Sequence, residues 1–98
     1  MEQQNTDEIR ITEVKIRLAD SNRTSLVGWA SCIVNDALLL DSIRIMRNSE
    51  GAIYLQFPVK KFRGSVKYYH FRPISHEAGD VFKQAILDEL KRNGSDAV

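Results

Sequence analysis

Along this chain the period of the apolar residues changes once, and that change limits the fold more than any other feature. From Ile11 to about residue 72, apolar residues alternate with polar ones or run in short blocks, as strands do. Beyond Ser75 they recur at helical spacing, with Ala78, Val81, Phe82, Ala85, Ile86 and Leu90 on one face. All the strands therefore precede one convincing helix. Five strand-like segments joined by short turns predict an α+β fold: a five-stranded antiparallel meander followed by one C-terminal amphipathic helix.

The first strand is expected over residues 11–18, with Val14, Ile16 and Leu18 on its core face and Glu13, Lys15 and Arg17 on the other. Turn-forming Asp20-Ser21-Asn22-Arg23 leads into residues 26–34, apolar at nearly every position and so read as a central strand. Asn35-Asp36 is a two-residue connection of types that tolerate positive φ, which predicts a tight hairpin to a third strand over 37–46. A turn at Asn48-Ser49-Glu50-Gly51 precedes a fourth strand, 52–57, stopped by Pro58. Residues 58–64 read as a loop and 65–72 as the fifth strand. The helix has an N-cap in Ser75, acids Glu77 and Asp80 near its start, and Lys91-Arg92 before a C-cap at Asn93-Gly94.

At 98 residues, 43% apolar and 28% charged, the chain suits one globular domain, expected over residues 10–94 with disordered tails at 1–9 and 95–98. Its single cysteine, Cys32, provides neither an internal disulfide nor a paired-thiolate zinc site, so packing must stabilise the fold. One helix about 10 Å across covers roughly two of five strands spaced about 4.8 Å apart. Leu26, Val27, Trp29, Ile33, Leu38, Leu39, Leu40, Ile43 and Ile45 would leave too much apolar surface wet on a monomer. That surface predicts a homodimer formed through the sheet; a sheet curled into a partial barrel with the helix plugging one end is the monomeric alternative. No apolar run spans a bilayer and the first eight residues lack signal-peptide character, so no membrane insertion and a cytoplasmic location are expected.

Catalytic constellations are sparse. Cys32 lies in the most apolar strand and is read as core; His70 and His76, six residues apart across a strand–helix junction, make a poor metal site. The five glycines never cluster into a phosphate-binding loop, and Asp88-Glu89 reads as a solvated helix face. The expectation is a protein that is not an enzyme, with no cofactor and no metal.

Net charge is +1, but it is unevenly spread. Residues 1–43 carry four bases and seven acids, 44–74 seven bases and one acid, and 75–98 three bases and five acids. Lys60, Lys61, Arg63, Lys67 and Arg72 face no acid between Pro58 and Ile74, and Phe57, Phe62, Tyr68, Tyr69 and Phe71 are interleaved with them. Cations for phosphates beside rings for bases suit DNA or RNA. The plainer reading is a solubilising hairpin whose aromatics are core. Arg63-Gly64-Ser65-Val66-Lys67-Tyr68 is not an aromatic RNA-recognition motif, because Ser65 and Lys67 stand where that motif needs rings.

Several short motifs, in order, resemble the SpoVG-type septation and sporulation regulators of bacteria. They are Ile11-Thr12-Glu13-Val14-Lys15-Ile16-Arg17, Ala30-Ser31, Asp41-Ser42-Ile43-Arg44-Ile45, Pro58-Val59-Lys60-Lys61, Pro73-Ile74 and Ala85-Ile86-Leu87-Asp88-Glu89-Leu90. The resemblance implies a small dimeric α+β regulator, without catalytic activity, that binds DNA and/or RNA and influences septation, sporulation or developmental gene expression. By motif it nominates Arg44, Lys60 and Lys61 for the nucleic-acid surface; Arg63, Lys67 and Arg72 join them by charge, with Lys83, Lys91 and Arg92 as further helix contacts. The chain departs from the family pattern at Ser42, where relatives carry an acid, and at Arg72, where they carry a histidine. The competing expectation is a dimeric adaptor that meets division or regulatory proteins without touching nucleic acid.

Overall fold

A computed structural model describes residues 9–20, 25–61 and 67–92, with the side chain of Lys67 left out. These residues form β1 (Ile11–Leu18), β2 (Leu26–Val34), β3 (Leu38–Arg47), β4 (Ile53–Gln56), β5 (Val59–Lys61), β6 (Lys67–Tyr69) and α1 (His76–Arg92). The first four make one antiparallel sheet in the order β1-β2-β3-β4, and β5 and β6 pair separately as a two-stranded ribbon. This corrects the five-stranded meander. The segment expected as the fifth strand pairs through Lys67–Tyr69 with Val59–Lys61, inside the stretch read as a loop. Pro58 ends the β4 ladder, and the chain resumes extended structure one residue later, away from that ladder.

The β2–β3 hairpin turns at Asn35 and Asp36, both with positive φ (53° and 55°), and Ala37 N–H donates to the Val34 carbonyl at 2.9 Å. Arg10 fastens this turn to the start of β1: its N–H donates to Asn35 Oδ1 at 2.6 Å, and its guanidinium meets Asp36 at 3.2 Å.

Two bulges flank the middle of β2, and a third register shift falls near its start, between Leu26 and Gly28. In β1 the register shifts between Thr12 and Lys15 around Glu13 (φ 51°); in β3 it shifts between Leu40 and Ile43 around Ser42 (φ 65°). Each inserts one residue and moves the strand's earlier side chains to the other face. Ile11 and Val14, three apart, therefore both pack against the core, as does Ile16. Leu18, expected inside, is 48% exposed at the strand's end.

One face of the sheet carries the core. Ala30, Cys32, Ile43, Ile45 and Ile53 pack with Phe82, Ile86 and Leu90 of α1, which runs against β1. Phe57 links this core to the ribbon's base, meeting Phe82 edge-on at 5.6 Å and Phe71 at 5.9 Å. Ser75 caps the helix as its sequence predicts, its Oγ accepting from Ala78 N–H at 3.1 Å. Val81, assigned to the apolar stripe, lies at its margin, 37% exposed. The turn at 20–23, the C-cap at 93–94 and the tails expected at 1–9 and 95–98 fall wholly or largely outside the described residues, except that Ile9, the last residue of the expected tail, packs against the core.

Candidate nucleic-acid interface

The sheet face opposite α1 is built differently. Cross-strand register sets Arg17 of β1 beside Trp29 of β2, Trp29 beside Arg44 of β3, and Arg44 beside Gln56 of β4. Directly opposed residues share a face, so these four side chains form one row across the sheet, about 14 Å long at about 4.8 Å per strand. The row is knit together. The Arg17 guanidinium lies 4.5 Å from the centre of the Trp29 ring, and Arg44 Nη1 donates to Gln56 Oε1 at 3.3 Å.

The ribbon forms a wall beside this floor. Val59 and Lys61, two apart in β5, project to one side, joined by Tyr69, which pairs with Val59 across the ribbon. Floor and wall enclose an open groove of about 690 Å3, completed by Ser42, Phe57 and Pro58. None of its described lining residues is acidic. Arg72 reaches it indirectly, stacked 5.4 Å from the centre of the Tyr69 ring, which is 54% exposed.

The structure thus brings together three of the six residues expected from sequence: Arg44 in the floor, Lys61 in the wall and Arg72 over the wall's ring. Lys60 alternates to the other side of the ribbon, opposite Tyr68. The β6 register puts Lys67 opposite Lys61 without describing its side chain, and Arg63 falls outside the described residues. Lys83, Lys91 and Arg92 belong to α1, on the far side of the sheet, where Arg92 pairs with Glu89. The interleaved aromatics divide: Phe57 and Phe71 serve the core, while Tyr68 and Tyr69 are exposed.

Sequence reading missed Arg17 and Trp29. Arg17 was one of three outward residues of an alternating strand, and Trp29 one apolar residue among many. The signal lay in their register, which no local pattern encodes.

Elsewhere, Cys32 is fully buried, and desolvation pushes its thiol above the ordinary value, favouring the neutral form. His70 and His76 are exposed, and among the described residues no three His, Cys, Asp or Glu side chains are grouped to hold a metal. No helix among the described residues is long and apolar enough to cross a membrane. The family model described as SpoVG matches residues 9–92. No curated protein is significantly similar to the chain.

Proposed function

The chain belongs to the SpoVG family, a membership that suggests a septation- or sporulation-related protein, and from it we propose a cytoplasmic, homodimeric regulator that binds nucleic acid through the groove between sheet and ribbon. The observation that carries this reading is the acid-free lining in which Arg17, Arg44 and Lys61 surround Trp29 and Tyr69. Clustered cations without neighbouring acids attract a polyanion and gain by releasing its counterions. Arginines held on rings, as Arg17 and Arg72 are, keep their N–H edges available for phosphate oxygens. In this reading Arg44, Lys61 and Arg72 contact phosphates with Arg17, and Lys60, Arg63 and Lys67 add charge along the ribbon. Regulation of septation or developmental genes then follows from occupancy of a DNA or RNA site, with no catalytic step.

The homodimer is supported by apolar surface away from the groove. Leu39, 70% exposed, sits opposite half-buried Ile33 on the sheet face away from α1, at the far end of the β2–β3 hairpin. A second copy seated there would leave the Arg17–Trp29–Arg44–Gln56 row open.

Binding of short DNA and RNA duplexes and single strands at rising salt tests the reading. With about four phosphates neutralised, affinity should fall roughly 50-fold or more between 50 and 200 mM salt. Arg44→Glu with Lys61→Glu should abolish most of the binding while the thermal melt stays unchanged. Salt-independent affinity, or full affinity in the double variant, would refute it.

A further inference from the structure

The groove's lining says more than that its ligand is anionic, and we infer that it takes single-stranded rather than duplex nucleic acid. This inference rests on the nucleic-acid reading of the same groove. A surface that only neutralises a duplex backbone needs cations and hydrogen-bond donors, because a duplex keeps the faces of its bases stacked inside. Here part of the lining is ring or apolar side chain: Trp29 in the floor, and Pro58, Val59 and Tyr69 towards the wall, with Phe57 behind them in the core. Such surface gains by contact with unstacked bases and gains little from phosphates.

The arrangement alternates charge and ring. Across the floor the order is Arg17, Trp29, Arg44, and along the wall Lys61 is followed by Tyr69 with Arg72 on its ring. A single strand offers the same alternation, with phosphates on one edge and base faces on the other. Bases stack on aromatic rings and equally on guanidinium planes, so Arg17 over Trp29 and Arg72 over Tyr69 extend the stacking surfaces and do not block them. The site is concave, whereas readers of the duplex major groove push a helix or ribbon outward into it.

The test compares a labelled 12-nucleotide single strand, as DNA and as RNA, with the same sequence annealed to its complement, using the full chain. Anisotropy gives affinity, and the emission of Trp29, the sole tryptophan, reports entry into the groove. At least one single strand should bind about tenfold or more tightly than the duplex and quench Trp29. Tyr69→Ala should weaken single-strand binding roughly tenfold and duplex binding much less, while Tyr69→Phe restores it. Tyr69 is half exposed, so an unchanged melting curve verifies the fold of both variants. Duplex binding that equals or exceeds single-strand binding, or a Tyr69→Ala variant with unaltered single-strand affinity, overturns the inference; if that binding is still salt-sensitive and lost in the Arg44→Glu, Lys61→Glu protein, the broader reading stands. Failure of every probe to bind overturns both.

Discussion

Gly28 sits where β1 leaves no room for a side chain. A Cβ placed there would lie 2.4 Å from the Arg17 carbonyl oxygen and 3.0 Å from Leu18 Cα, both backbone atoms that cannot swing aside. Gly28→Ala must therefore push β1 from β2 next to the Arg17–Trp29 pair. Overpacking of this kind costs about 1–3 kcal/mol. Urea denaturation should show at least that loss, with weaker oligonucleotide binding at a given folded fraction; wild-type stability would refute the close packing. A glycine inside a strand does hint at close backbone approach. The identity of the neighbour depends on register, and the bulges shift register: Glu13 and Ser42 adopt left-handed backbone conformations that their residue types do not announce. For the same reason alternation found Val14 and Ile16 but not Ile11's place on their face.

Among the elements, legibility tracked length and period. β1 and β2 match their expected bounds, and α1 begins immediately after its cap and ends at the expected Arg92. Seventeen residues of helix carry several turns of repeated spacing, and β2 is apolar at nearly every one of its nine positions. β5 has three residues, Val-Lys-Lys, too few for any period, behind a proline that reads as a stop. The ribbon was invisible for that reason, and with it the wall of the groove. Ser75 is the clearest local signal that held. Ser75→Ala should remove the bond to Ala78 N–H and cost about 1 kcal/mol, within a range of about 0.5–2. Chemical denaturation measures this, and Ser75→Asp should recover most of it through the same acceptor role.

At the scale of the whole molecule, one helix covers one face of a four-stranded sheet. The other face is split between the cationic groove and the hairpin end, where Ile33 and Leu39 stand among Glu13, Lys15, Asp36 and Asp41, about two residue rows, or roughly 13 Å, further along β2. These two halves are separable by mutation. Leu39→Glu should convert a species of twice 11.2 kDa to one of 11.2 kDa, with the far-ultraviolet spectrum unchanged. Sedimentation equilibrium decides it: a wild-type monomer refutes the proposed homodimer, and a variant that remains paired removes Leu39 from its contact.

The row Arg17–Trp29–Arg44–Gln56 draws one side chain from each of four strands, so its spacing exists only while all three ladders are intact. No peptide cut from this chain can carry the proposed binding surface, and losing either outer strand leaves an incomplete row. Occupancy of the row and integrity of the entire sheet are therefore linked: a bound oligonucleotide should raise the melting temperature, and a truncated protein should forfeit affinity abruptly instead of by degrees.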